Sequence, residues 1–176
     1  MLTVAIIGAG PLGRRLAMAA ARAGYRVLLE DVMPANLHHA REALRRELNA
    51  EALPSVDFVS TIEDAVREAD LAIDCVPDEL ESKLEIFCLL DRMAPPRTIL
   101  ATPTTRLSIG DLAACTYRAD RCVAIAAEAE ELARLDGELT LRITAQTASE
   151  TTALTQEFWK RVGFAPRIEI ESEAAQ

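Results

Sequence analysis

Residues 3–13, Thr-Val-Ala-Ile-Ile-Gly-Ala-Gly-Pro-Leu-Gly, decide the fold class of this chain. The apolar run Thr3–Ile7 predicts a buried strand, and it leads directly into the pattern G-x-G-x-x-G over residues 8–13. Apolar residues at helical spacing then predict a helix over residues 12–23. A strand, a glycine loop and a helix in this order predict a phosphate-binding turn at the N-terminus of the helix.

The motif residues have separate predicted roles. Gly8 permits the tight turn, Gly10 lets the backbone approach a pyrophosphate, and Gly13 lets helix and strand pack closely. Pro11 is tolerated in the first helical turn, where its missing N–H costs little, and Leu12 begins the apolar face of the helix. All five residues are therefore expected at the cofactor site.

An acidic residue completes the pattern at the end of the second predicted strand. Asp31 follows the first glycine by about 20 residues, where a carboxylate accepts hydrogen bonds from the adenosine ribose. A 2′-phosphate would meet that carboxylate, and the next residue is Val32 rather than arginine, so the sequence favours NAD over NADP. The same loop occurs in FAD-binding proteins, so FAD stays open as an alternative cofactor.

The rest of the chain alternates short apolar runs with segments of helical period. Further strands are predicted at residues 27–30, 56–59, 71–75, 98–101, 122–126, 139–143 and 167–170. Helices are predicted at 35–48, 60–68 (with a capping box at Ser60 and Glu63), 79–93 and 150–162, with a short helix opened by Ser108 and Asp111 and an acidic helical turn over 127–131. This alternation predicts a Rossmann-like α/β fold, a doubly wound, mostly parallel sheet with helices on both faces. We expect one domain over residues 1–170 and a C-terminal tail over 171–176.

Composition narrows the classes of function. The 176 residues are 50% hydrophobic and only 4% aromatic, which predicts one domain with an aliphatic core. The net charge of −9 argues against nucleic acid or an anionic membrane as the main partner, because both attract cationic surfaces. There is no signal-peptide pattern, no apolar stretch of membrane-spanning length, and no metal-ligand spacing among the four cysteines. We therefore expect a cytoplasmic protein with free cysteines and no metal site.

Beside residues 4–13, three stretches resemble the NAD-binding domain of the 3-hydroxyacyl-CoA dehydrogenase family. They are 60–71 (Ser-Thr-Ile-Glu-Asp-Ala-Val-Arg-Glu-Ala-Asp-Leu), 74–92 with Pro95-Pro96, and 99–112 with Leu107-Ser108-Ile109. The resemblance covers residues 3–170 and concerns the first half of such an enzyme. It implies an NAD cofactor and oxidoreductase chemistry in fatty acid metabolism. The family's helical C-terminal domain, which carries dimer contacts and part of the substrate cleft, has no counterpart in these residues.

The resemblance also implies cofactor contacts after the fourth predicted strand, at Val76, Pro77, Asp78 and Lys83. Asp78 occupies the place of the family's acidic residue after Val-Pro, and Lys83 matches a lysine on the following helix. From the residues alone, Asp78 is equally an ordinary charge at a helix N-terminus and Lys83 a solvated lysine. Both alternatives stay open for both residues.

The substrate-side loop departs from the family. The family has Asn-Thr-Ser-Ser where this chain has Pro-Thr-Thr-Arg at residues 103–106. Thr105 keeps a hydroxyl for a possible substrate contact. Pro103 lacks the amide side chain that, in the family, helps to hold the nicotinamide end.

The positions of the family's acid–base pair also differ. Its catalytic histidine falls on Ala126. Its glutamate partner falls on Glu138 without gaps, whereas strand alternation suggests a short insertion that places Leu141 there. A general base contributes ~10²–10⁴-fold to such reactions, and alanine cannot accept a proton. We therefore expect a protein that is catalytically impaired on its own.

Other ionisable residues are weaker candidates for the missing base or for an anion contact. Glu128, Glu130 and Glu131 would need a pKa raised by burial, and they lie in a segment expected to be solvated. The remaining candidates are Tyr117 near a helix end, Arg106 as a partner for an anionic ligand, and His38 and His39, which we expect on a helix surface at the adenine side.

Three functions remain open at this point. The first is an NAD(H)-binding module that acts as a subunit or sensor. The second is an active NAD-dependent oxidoreductase that uses another base or a partner chain, and the third is an FAD-binding module. A twofold homodimer is expected, because the surface that a second domain covers in the family would otherwise expose apolar residues.

Overall fold

The computed structural model describes residues 1–172, which form eight strands and seven α-helices. The strands are β1 Thr3–Ile7, β2 Arg26–Glu30, β3 Val56–Val59, β4 Leu71–Asp74, β5 Ile99–Pro103, β6 Cys122–Ile125, β7 Glu138–Ile143 and β8 Ala165–Ile170. The helices are α1 Pro11–Arg22, α2 Pro34–Glu47, α3 Ile62–Val66, α4 Leu80–Met93, α5 Ile109–Ala114, α6 Ala129–Leu132 and α7 Ser149–Arg161.

All eight strands lie in one sheet, in the order β3-β2-β1-β4-β5-β6-β7-β8. Strands β1 to β6 are parallel, which confirms the predicted Rossmann-like, doubly wound arrangement. Strand β7 is antiparallel to β6, and β8 is parallel to β7. The reversal follows from the connection between β6 and β7, because its four-residue helix α6 is too short to form a crossover over the sheet.

Helices cover both faces of the sheet. Helices α1, α2, α6 and α7 pack on one face, called here the α1 face, and α3, α4 and α5 pack on the other, the α4 face. Strand β1 shows why its sequence is continuously apolar: Val4 and Ile6 enter the core of the α1 face, while Ala5 and Ile7 enter that of the α4 face. The topological switch point lies between β1 and β4, where ligands of such sheets bind.

The predicted elements agree with the structure to within two residues at their ends, apart from details of capping. Helix α3 begins one residue later than the predicted capping box. Thr61, not Ser60, is its N-cap, and the Thr61 hydroxyl accepts the Asp64 N–H at 3.2 Å and donates to the Asp64 carboxylate at 2.8 Å. The predicted cap at Ser108 is confirmed by the N–H of Asp111, which donates to its hydroxyl at 3.2 Å.

The chain remains attached to the fold beyond the predicted end of the domain at residue 170. The Glu171 N–H donates to the Ile143 carbonyl at 2.7 Å. The Glu171 carboxylate accepts the Ile109 N–H at 2.9 Å and the Ser108 hydroxyl, so it caps the start of α5. The first residue of the predicted tail is therefore part of the domain, and residues 173–176 lie outside the described residues.

The described residues 1–172 contain no helix with the length and apolar character needed to cross a bilayer. The four cysteines are free thiols. Cys122 is buried, and the other three are half-buried.

Gly13→Ala is expected to destabilise the protein, because a Cβ at this position would lie 1.8 Å from the carbonyl oxygen of Gly8. Overpacking of this kind costs ~1–3 kcal/mol. Gly10→Ala is the matched control, since a Cβ at Gly10 would have no heavy atom within 4 Å. Urea unfolding measures both variants, and equal stabilities would contradict the packing role of Gly13.

Candidate functional site

The glycine loop turns the chain from β1 into α1. Gly8 has a φ of +105°, which favours glycine, and its N–H donates to the Glu30 carbonyl at 2.9 Å. The Gly8 carbonyl fills the place of a side chain on Gly13, so helix and strand are in close contact. Gly10 borders open space. The loop thus combines a tight turn, close packing and a side from which a ligand can approach the main chain.

The start of α1 has the properties of an anion site. Gly10 is the N-cap and provides no side chain to bind the N–H groups of the first turn, and Pro11 is the first helical residue. This turn contains no acidic residue. Because the helix is 12 residues long and its first N–H groups lack side-chain caps, its N-terminus carries partial positive charge toward the carboxyl edge of the sheet.

Asp31 lies beside this loop. Its Oδ2 accepts the Ala9 N–H at 2.9 Å and the side-chain amide of Asn36 at 3.1 Å, while its Oδ1 accepts the Met33 N–H at 2.8 Å. The residue is 9% exposed. These contacts hold the carboxylate at the end of β2, next to the phosphate loop, where sequence analysis placed the ribose contact.

A second acidic side chain, Glu30, precedes Asp31 and was missed from the sequence. Glu30 is 3% exposed, and its Oε1 is buried without a hydrogen-bond partner among the described residues. Burial, reinforced by the charge of Asp31, raises the pKa of Glu30 to about 7. The signal that could have revealed it is an ionisable residue in the last position of an apolar strand.

Glu30→Gln is expected to stabilise the protein more at pH 8 than at pH 5. The pKa of Glu30 is about 7 in the folded protein, against an ordinary value of 4.5. The protein therefore has its full stability with respect to this group below pH 4.5, where Glu30 is protonated, and it loses stability as the pH rises through 7. The variant avoids that loss, which is on the order of 2 kcal/mol. Urea unfolding at both pH values measures the effect, with the exposed substitution Glu130→Gln as control. An equal gain at both pH values would contradict the assignment.

The loop after β4 rests on a buried ion pair. Asp74 and Lys83 are 0% and 1% exposed, and the Lys83 ammonium lies 3.2 Å from the Asp74 carboxylate. The ammonium also donates to the Val76 carbonyl at 3.2 Å, and the Thr102 hydroxyl donates to Asp74 at 2.9 Å. Burial raises the pKa of Asp74, and the charge of Lys83 opposes that rise. Lys83 is therefore not the solvated lysine that one interpretation of the sequence allowed.

Asp78 links this loop to the loop after β5. Its Oδ2 accepts the Thr105 N–H at 3.3 Å, and its main-chain carbonyl accepts the Arg106 guanidinium at 2.6 Å. Its Oδ1 is buried without a hydrogen-bond partner among the described residues. Glu79, rather than Asp78, is the N-cap residue of α4, and its side chain makes no capping hydrogen bond. Asp78 thus joins the loop after β4 to the loop after β5, and Arg106 is occupied by this contact.

The positions expected to carry the acid–base pair hold no such pair. The Ala126 N–H donates to the Thr140 carbonyl at 2.9 Å, in register with Ile125 opposite Leu141. Thr140, rather than Glu138 or Leu141, is therefore opposite Ala126. Glu138 is exposed at the start of β7, and Leu141 is buried in the core of the α1 face. The residue opposite Ala126 follows from the antiparallel register, which the sequence could not provide.

Thr105 and Glu128 meet at the same end of the sheet. The Thr105 hydroxyl donates to the Glu128 carboxylate at 2.6 Å, and both residues are exposed. The Glu128 N–H in turn donates to the Glu131 carboxylate at 2.9 Å, where α6 begins. The predicted acidic helical turn is confirmed as α6. The other ionisable candidates are exposed: His38, His39, Tyr117 and Glu130.

Arg142 is a further residue of this region that sequence analysis missed. It projects from β7, and its guanidinium donates to the carbonyls of Thr104 at 2.8 Å and Leu107 at 3.3 Å. Its Nε is buried without a hydrogen-bond partner among the described residues. The sequence feature that could have revealed it is an arginine within a predicted strand whose other residues alternate between apolar and polar. Arg142 holds the loop that carries Thr105 against β7.

A family profile described as "3-hydroxyacyl-CoA dehydrogenase, NAD binding domain" matches residues 3–167. The chain belongs to this family. Its cofactor class is therefore NAD, which argues against the FAD alternative.

Individual relatives of the NAD-binding domain agree with this assignment. The chain is 32% identical over 133 residues to a probable 3-hydroxybutyryl-CoA dehydrogenase of Bacillus subtilis, covering 68% of this chain and 46% of that protein. It is 30% identical over 136 residues to the mitochondrial hydroxyacyl-coenzyme A dehydrogenase of Sus scrofa, covering 67% and 43%. The solved (S)-3-hydroxybutyryl-CoA dehydrogenase of Ralstonia eutropha superposes with a TM-score of 0.84 at 26% identity, covering 97% of this chain and 64% of the other. The chain spans about half or less of the length of these curated relatives.

The residues of the domain fit the cofactor of the family. Gly10 leaves open space beside the main chain, the start of α1 offers N–H groups without side-chain caps, and Asp31 holds a carboxylate against the loop. These are the donor and acceptor groups that a dinucleotide with a free ribose requires.

Proposed function

We propose that this domain binds NAD(H) through the glycine loop and Asp31, and that on its own it does not oxidise a 3-hydroxyacyl-CoA. The observation that carries the second part is that Ala126, where the family resemblance implies histidine, is paired with the Thr140 main chain, while Glu138 is exposed at the start of β7 and Leu141 is buried in the core. The proposed role is that of a cofactor-binding subunit or sensor. Four free thiols suit a reducing compartment, and we propose the cytoplasm.

The dinucleotide would be held by groups at both sides of the switch point. The N–H groups at the start of α1 would bind the pyrophosphate, with Gly10 allowing close approach. Asp31 would accept the hydroxyls of the adenosine ribose and disfavour a 2′-phosphate, which selects NAD over NADP. When bound, NAD supplies the hydride acceptor for oxidation of an alcohol.

The segment after β4 would position the nicotinamide half. Val76 and Pro77 lie in the loop between β4 and α4. The family resemblance implies a cofactor contact at Asp78. Lys83 would act through this loop, because its ammonium is bound to Asp74 and to the carbonyl of Val76. Its proposed contribution is to fix the shape of the loop.

Proton transfer is the step that the domain lacks. Oxidation of a hydroxyl requires a group that accepts its proton as the hydride leaves, and histidine suits this because its pKa lies near neutrality. The methyl group of Ala126 cannot do so. The Thr140 hydroxyl is already bound to Arg167, whose Nε donates to it at 2.8 Å.

One contact favours a second candidate function. Because the Thr105 hydroxyl is hydrogen-bonded to Glu128, a substrate hydroxyl bound at Thr105 would lie near a carboxylate that can accept a proton. An active oxidoreductase that uses Glu128 is therefore the alternative to a binding module. Only under this alternative do we propose that the chain acts on an acyl-CoA, as its relatives do.

NADH is expected to raise the melting temperature of the protein, because it binds the native state alone. Gly10→Ala should remove this shift while leaving the unliganded melting temperature unchanged, since its Cβ would enter the space next to the loop. Asp31→Ala should also remove it. Gly110→Ala, in α5, is the control that should retain the full shift. A full shift in Gly10→Ala would contradict the proposed binding site.

The isolated domain is expected to leave NADH unconsumed in the presence of acetoacetyl-CoA or small ketones. The assay follows NADH absorbance, with a complete 3-hydroxybutyryl-CoA dehydrogenase as positive control. If the protein consumes NADH, and if Glu128→Gln loses this activity while Glu130→Gln retains it, the binding-module proposal is contradicted and the alternative is supported.

A further inference from the structure

One edge of the sheet is formed by β8, the last strand in the sheet order, and the other by β3. The Ala165 N–H donates to the Gly137 carbonyl and the Glu171 N–H to the Ile143 carbonyl, so odd-numbered residues of this strand direct their main-chain groups toward β7. The main-chain groups of the even-numbered residues point away from the sheet: Pro166, Ile168 and Ile170. Among residues 1–172, no strand pairs with this edge.

Two opposite charges flank the centre of the β8 edge. Register with β7 places Arg167 beside Thr140 and Glu169 beside Arg142, on the α4 face. Both charged residues are exposed. On the α1 face of the same strand Ile168 is half-buried, and Ile170 is 64% exposed. The edge therefore offers main-chain donors and acceptors, an exposed isoleucine, and one charge of each sign.

The spacing of these charges is complementary to a second copy of the same strand. In an antiparallel pair centred on Ile168, Arg167 of each copy is opposite Glu169 of the other, and opposite charges in this position stabilise a sheet. Centring the pair on residue 167 or on residue 169 would instead place two arginines or two glutamates opposite each other. Of these three registers, only the one centred on Ile168 avoids a like-charge pair at the centre.

We propose that β8 is a dimerisation edge, where two copies of this chain pair antiparallel about a twofold axis at Ile168. The two Ile168 residues would exchange both main-chain hydrogen bonds, and the Ile170 N–H of each copy would donate to the Pro166 carbonyl of the other. Pro166 lacks an N–H, but in this register its carbonyl still accepts one bond. The two sheets would then continue into each other, with the isoleucines of both copies on the α1 face.

The proline and the charges of β8 affect which partners can pair with this edge. Proline and charged residues on an edge strand usually discourage pairing with other chains. Here the same residues discourage every central register except the self-complementary one, so they select a partner as well as exclude others. An interface of this kind is isologous and closes as a dimer, which is the commonest assembly of soluble proteins.

Charge reversal tests the β8 edge without removing any main-chain group. Arg167→Glu and Glu169→Arg each place two like-charge pairs in the interface, and each is expected to weaken dimerisation roughly tenfold or more. An equimolar mixture of the two single variants restores every opposite-charge pair and should form heterodimers. The double variant, in which the two charges are exchanged, should dimerise as the wild type does. Sedimentation velocity over a range of protein concentrations measures each sample.

Thermal unfolding of every variant separates loss of the dimer from loss of the fold. Glu169→Arg is informative here because it keeps the hydrogen bond from Arg167 to Thr140. A wild type that stays monomeric at the highest concentration reached would overturn the proposal. So would single variants that dimerise as tightly as the wild type, since the contact would then lie on another surface. None of these measurements depends on the binding of NADH, so the result is independent of the proposed function.

Discussion

The contact between the Gly8 carbonyl and the backbone of Gly13 is the constraint on which the cofactor half of the fold depends. A Cβ at Gly13 would lie 1.8 Å from that carbonyl oxygen, so helix α1 can approach the sheet only because position 13 has no side chain. The approach brings the start of α1 over the carboxyl edge of β1. Its N–H groups then share this edge with Asp31, and the same turn leaves Gly10 open.

Three carboxylates lie at the carboxyl ends of β2 and β4, and each has a different set of neighbours. Asp31 is satisfied by main-chain and amide donors, which hold it beside the loop. Asp74 is neutralised by Lys83 and bound by Thr102. Glu30 has neither kind of partner for its Oε1, so burial acts on it without compensation and raises its pKa. Glu30 and Asp74 are the last residues of their strands, and Asp31 directly follows Glu30. The three carboxylates therefore differ because of their neighbouring groups, not because of their place in the strand.

Local pattern accounts for most of the fold and for the cofactor half of the site. The continuous apolar run of β1, the glycine loop and Asp31 are adjacent in sequence or separated by one helix, so their arrangement follows from the elements themselves. The residue opposite Ala126 could not be predicted in this way, because it depends on the register of an antiparallel strand that joins the sheet after a short connection. The Lys83–Asp74 pair and the packing of Arg142 under the loop at Thr104 were missed for the same reason, since both form between separate elements.

The buried ammonium of Lys83 has a consequence for how the protein can be studied in solution. The chain contains two lysines, and the other, Lys160, is exposed at the end of α7. An acylating reagent would modify Lys160 without delay, but it would reach Lys83 only when α4 lifts away from the sheet and breaks the bond to Asp74. The ratio of the two acylation rates, followed by mass spectrometry, would therefore report how often the chain around Val76 opens, with no label added to the molecule beforehand.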